Sequence, residues 1–163
     1  MDITAKYEIT RPDMLRATKF YYDHTGRLWR MSAAVLFTLV GVLALFVPDS
    51  RWLGPPLLLC AAMQIATPRA NAFMTARRYF SNPNMGRSSE MHMTETGLDA
   101  KSEAGTSSIN WDIFKSWMES PEAFLLIIYK GYYLVLPKRG FEREEDTAVL
   151  RDFLRQRISQ APA

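Results

Sequence analysis

Cysteine occurs once, as Cys60 within an apolar run, which excludes a disulfide framework and a thiolate metal site built inside the chain. Histidine occurs only at His24 and His92. No HExxH pair, phosphate-cradling glycine loop or nucleophile elbow is present. Hydrolytic chemistry needs a nucleophile, an activating base and an orienting group. The expectation is therefore of no catalytic residue, no metal and no cofactor. Positive charge exceeds negative by little, 20 Lys and Arg against 17 Asp and Glu, and the cations are scattered or flank apolar runs. The basic stripe of a nucleic-acid binder is missing, so nucleic acid is not expected as a partner. The start, MDITAKYEITRPD, lacks the basic, apolar and small-residue sequence of a removable signal peptide.

Charge itself is missing from two stretches, Met31 to Val47 and Trp52 to Pro68. The first covers about 25 Å as a helix, and with Leu28 and Trp29 it approaches the ~30 Å of a bilayer core. The second is weaker: Gly54, Pro55 and Pro56 open it, where a helix tolerates proline, and Gln64 lies deep within it. Only PDSR, Pro48 to Arg51, separates the two, which makes them an antiparallel pair. Transmembrane spans are expected over about 28–47 and 52–72, within a hairpin unit 28–80. Trp29, Trp52 and Phe73 fall near the span ends, where aromatic rings favour the headgroup layer. Lys19, Arg27 and Arg30 precede the first span, and Arg69, Arg77 and Arg78 follow the second. The positive-inside rule then puts both termini in the cytoplasm. Two buried helices of a soluble core would need more surrounding protein than the remaining residues supply.

The arm, residues 1–27, has Ile3, Tyr7 and Ile9 at strand spacing. A helix follows, with Thr10 as cap, Pro12 and Asp13 in its first turn, and Gly26 at its end. It suits either an interfacial helix or packing against the C-terminal part. From Ser81 the pattern changes to a β-rich unit, 81–163. SNPNMG reads as a loop and EAG, Glu103 to Gly105, as a turn. Met91, Met93 and Leu98 read as inward residues of two strands, and EAFLLIIYKGYYLVLP as a hairpin turning at Lys130 and Gly131. EREEDTAVLRDFLRQRI carries the stripe Val149, Leu150, Phe153, Leu154 and Ile158, with acids early and arginines late, as a helix dipole favours. Antiparallel strands closed by one amphipathic helix resemble a PH-like barrel, although the pattern alone also allows another small α+β sheet. The fold class expected is thus an α+β membrane protein: a two-helix transmembrane hairpin followed by a small PH-like antiparallel β domain with a C-terminal amphipathic helix.

The YEIT start, the two-span hairpin, ETGLDAKSEAGTSSINWDIFKSWMES, LVLPKRGF and the terminal VLRDFLRQRI together resemble the YcxB-like family of bacterial membrane proteins. The resemblance implies a multi-pass protein of the bacterial inner membrane, with a cytoplasmic domain and no established catalytic activity.

Three sets of residues invite a chemical reading. Glu119 and Glu122 beside a proline turn read as solvated carboxylates. Trp111 and Trp117 suit ligand stacking or, better, the core of a small barrel, in which case the Trp111 indole needs an acceptor. Lys138 and Arg139, at the end of LVLP, could bind an anionic lipid or a partner near a negatively charged membrane face. The structural reading is the preferred one: Pro137 ends a strand, Gly140 allows a turn, and the cations are solvated or paired with the acids of Glu142 to Asp146. The function expected is a non-catalytic integral membrane protein presenting a cytoplasmic domain for contact with protein or anionic lipid, with a regulatory role as one use. The alternative is an accessory subunit of a transporter or envelope complex that associates through the hairpin.

Overall fold

The computed structural model describes residues 2–81, 89–102 and 105–161. Most of the SNPNMG loop, and Glu103 and Ala104 of the expected turn, lie outside the described residues. The chain opens with β1 (Asp2–Tyr7), followed by three helices: α1 (Arg11–His24), α2 (Arg27–Phe46) and α3 (Gly54–Ser81). Strands β2 (Ser89–Thr94), β3 (Gly97–Ser102), β4 (Gly105–Asn110), β5 (Ser116–Glu119), β6 (Ala123–Tyr129) and β7 (Tyr132–Pro137) come next, and α4 (Glu144–Arg157) closes the chain. The strands form two antiparallel sheets, ordered β1-β2-β3-β4 and β5-β6-β7.

Alternation builds the first sheet. In β1, Ile3, Ala5 and Tyr7 are buried while Asp2 and Lys6 face out. The register sets Ile3 opposite Met93, Met93 opposite Leu98, and Leu98 opposite Ile109, so one apolar row crosses all four strands. On the outer face Lys6 meets Glu90 at 3.1 Å and the His92 ring meets Asp2 at 2.7 Å, pairs of the kind that stabilise facing positions modestly. The second sheet has a different logic. Ala123 to Ile127 of β6 are buried without alternation, because this central strand is covered on both faces.

The arm and the β-rich unit, separated along the chain at residues 27 and 81, are one packing unit in space. β1 forms the edge of the first sheet, and α1 lies against the β6–β7 hairpin. There the Tyr133 hydroxyl donates to Thr18 Oγ1 at 2.6 Å, and the Gly131 N–H donates to the Tyr21 hydroxyl at 3.0 Å. Gly131, at φ +82°, supplies the left-handed turn residue of that hairpin. The core combines Ile3 and Tyr7 from the arm and Met14 and Tyr21 from α1 with Trp111, Trp117, Phe124 and Leu150. It includes Ala76 near the end of α3. The Trp111 indole finds its acceptor in Thr94 O at 2.9 Å, and that of Trp117 donates to Ile158 O at 3.2 Å.

Helix α4 begins at Glu144 and buries Leu150 and Leu154, but Val149 is exposed. Val149 precedes Leu150 by about 100° of helical rotation, which takes it off the buried stripe.

Helices α2 and α3 form an antiparallel pair joined by a 3-10 turn, Pro48–Leu53. Their seam is made of small residues, Ala34, Gly41 and Ala44 from α2 against Gly54 and Ala61 from α3, while the later part of α3 packs against α1. A Cβ on Gly54 would come within 3.0 Å of Gly41 O, so glycine there permits the close approach. The outward face of α2 is apolar: Leu28, Val35, Leu36, Leu39, Leu43 and Phe46 are exposed, and Trp29 retains 80% of its surface. Among the described residues α2 is the one helix long and apolar enough to cross a bilayer, with mean hydropathy 1.9 over its apolar window. Of the two spans expected over about 28–47 and 52–72, only the first thus has a helix that meets these criteria. α3 runs for 28 residues but is diluted by Gln64, Thr67, Pro68 and Arg69.

Candidate functional site

Lys138 and Arg139 occupy a 3-10 turn, Lys138–Gly140, between β7 and α4. Backbone geometry fixes the turn first. The Lys138 N–H donates to Glu122 O at 2.8 Å, the Phe141 N–H to Lys138 O at 3.3 Å, and Phe141 bridges Ala5 of β1. Gly140 is packed so closely on β1 that an added Cβ would meet Tyr7 Cβ at 2.8 Å and Lys6 O at 3.1 Å. Phe141 then stands edge-on to Phe124, centroids 6.3 Å apart. The turn is a joint between the two sheets.

From this joint the two cations point to different partners. The Lys138 ammonium donates to Glu119 Oε1 at 2.7 Å and lies 5.2 Å from the Phe124 ring centroid. Arg151 of α4 grips the same carboxylate in a fork, Nε to Oε2 at 2.8 Å and Nη2 to Oε1 at 2.7 Å. Glu119, expected to be solvated, keeps only 20% of its side-chain surface and is held by two cations. Hydrogen bonding from Arg151, then from Lys138, pulls its carboxyl down to about 2 against the opposing effect of burial. Arg139 turns the other way, donating to Asp13 Oδ2 at 2.6 Å and to Glu8 O at 2.8 Å. Asp13 also accepts the Thr10 N–H at 2.8 Å, and the Arg139 contact holds its carboxyl well below the ordinary range. Glu122 pairs with Arg16 of α1 at 2.6 Å.

The expected partners of the two cations, the acids between Glu142 and Asp146, are thus replaced by Glu119 and Asp13. The reason is direction: those acids lie on the lead-in and first turn of α4, whereas the turn aims its side chains back toward β5 and the start of α1. Sequence spacing could not show Glu119, Arg151 and Asp13 as participants, because 19, 32 and 126 positions separate the paired residues. Lys138 and Arg151 also line an open groove of about 520 Å³ with Arg143, Glu144 and Thr147. His24 and His92 are in different elements, each with a local contact: His24 Nδ1 lies 2.8 Å from Phe20 O, and His92 meets Asp2.

The class that emerges is an α+β protein of two small antiparallel sheets, with one apolar helix pair inserted between the first and second strands. Residues 94–154 match the family model described as YcxB-like protein. That match runs from the end of β2 to the last buried leucine of α4, so β1, α1 and the α2–α3 pair lie outside it. No curated protein matches the chain.

Proposed function

We propose that the chain is a non-catalytic membrane-anchored protein, with α2 and α3 inserted in the bilayer and the two-sheet unit presented on the cytoplasmic side of the bacterial inner membrane for contact with protein or anionic lipid. The observation that carries this reading is the exposure of α2: only 17% of its apolar window is buried. A soluble core helix would be mostly covered, and an apolar surface of this extent needs a partner or a membrane. At 20 residues α2 spans about 30 Å, the thickness of a bilayer core. A cleaved leader would take β1 away with it, and β1 is a paired strand with a buried face.

In this reading the presented unit is PH-like, which its four-stranded and three-stranded antiparallel sheets with a C-terminal helix support. Its orientation follows from α1, whose end leads into α2. The β6–β7 tip is tied to that end, and it carries Lys130, which in sequence follows Tyr129, next to the exposed rings of Tyr129 and Tyr132, stacked on each other 5.0 Å apart. Tyrosines and a lysine suit the headgroup layer. Lys138 and Arg139 enter this reading as structural residues, each engaged by a carboxylate. The accessory-subunit alternative draws less support, because the small residues that favour helix association are already spent between α2 and α3.

A C-terminal reporter tests the orientation: activity confined to the cytoplasm is expected, and activity only outside it would refute the topology.

A further inference from the structure

Between α2 and α3, beside the end of α1, runs a groove of about 690 Å³, within the size range of small-molecule and lipid sites. Its two ends differ in chemistry. The walls along the helix pair are apolar, formed by Ala34, Val35, Leu39, Ile65 and Pro68. At the other end stand Arg27, Arg30 and Arg69. The antiparallel register that sets Gly41 against Gly54 brings the first turn of α2 to the level of Arg69. Arg30 is fixed in place, donating to Thr25 O at 2.7 Å and to Tyr22 O. Arg27 and Arg69 are exposed and make no ion pair with any described residue. Among the described residues the one acid lining this end, Asp23, is already paired with Lys19. Three fixed or free guanidinium groups therefore face no unpaired carboxylate among those residues.

We propose that this groove seats an acyl chain of an anionic phospholipid, with the lipid phosphate against Arg27 and Arg69. The inference rests on the membrane reading above and adds a ligand and a site to it. Guanidinium recognises phosphate through paired N–H donors, and the height of the cations matches the expected headgroup layer at the cytoplasmic end of the helices. Half-buried Gln64, which lines the same groove, offers an amide at the depth where the lipid's ester groups would enter.

The test uses the full chain, purified in neutral detergent, delipidated and titrated with equal amounts of phosphatidylglycerol and phosphatidylcholine under native mass spectrometry. Retention of phosphatidylglycerol roughly tenfold above phosphatidylcholine is expected, with the preference lost in the Arg27→Gln, Arg69→Gln double variant. Val35→Trp, at an exposed wall position, should reduce retention of both lipids while leaving the fold intact. Equal retention of the two lipids, a preference that survives the double substitution, or displacement by free glycerol phosphate would overturn the site. So would a dimer that excludes lipid, because a second copy would then fill the groove. Each of these results leaves the membrane reading standing, and that reading fails separately if the untreated protein does not sediment with membranes.

Discussion

Glu119 concentrates the electrostatics of the joint in one carboxylate. Its folded-state pKa near 2 lies below the ordinary 4.5. The depressed value means that the ionised form is favoured by folding. Its stabilisation is complete above about pH 4.5 and lost as pH falls toward 2. Glu119→Gln should make the acid limb of the stability curve shallower and cost about 1–2 kcal/mol at neutral pH, since Lys138 and Arg151 would be left side by side without the negative charge between them. Denaturant unfolding followed by tryptophan fluorescence across this range measures both effects. An unchanged acid limb would contradict the assignment. Gly140 is the steric counterpart. Its α-hydrogen faces Tyr7 and the Lys6 carbonyl with no room for a methyl group, so Gly140→Ala should destabilise the protein by about 1–3 kcal/mol, seen as a lower unfolding midpoint. The same substitution at Gly105, where nothing lies within 4 Å of the added Cβ, would test only the strain of its positive φ.

At the scale of elements, β1 and α1 complete a core that the following strands begin. The hydrophobic alternation of β1, Thr10 before α1 and the hairpin at Gly131 were legible in the sequence, because each rests on neighbouring residues. That β1 pairs with β2 was not legible, because α1, α2 and α3 intervene and strand pairing over such a distance leaves no local periodicity. The consequence is testable. Residues 81–163 alone should lack a cooperative unfolding transition and expose apolar surface to a dye such as ANS, and joining residues 2–24 to 89–161 by a flexible linker should restore cooperativity. A sharp transition in the short fragment would show that the arm is dispensable. Within the helix pair the sensitive position is Gly54. Gly54→Val should separate α2 from α3 and lower the thermal midpoint in detergent, because an added Cβ already meets Leu45 and Gly41 O. Leu36→Val, on the outward face of α2, should have little effect on the same midpoint, because Leu36 is exposed and lies off the seam.

For the whole molecule, the two-sheet unit and the apolar pair are not independent modules. Helix α3 passes from the seam with α2 into the core through Ala76, and α1 joins the β6–β7 tip to the entry of α2. A ligand or partner acting on one part would therefore bear on the other through α1 and α3. Lys138 and Arg139 were visible in the sequence as a cationic pair, but their role depends on carboxylates brought together by the tertiary fold. The groove cations Arg27 and Arg69 were visible only as topology signals, since their shared groove arises when two helices pack antiparallel. The central claim is that α2 and α3 lie in a bilayer, and alkaline carbonate extraction of membranes from cells expressing the full chain tests it most directly. The protein should remain in the membrane pellet and be released only by detergent; recovery of the folded chain in the carbonate supernatant would contradict the account.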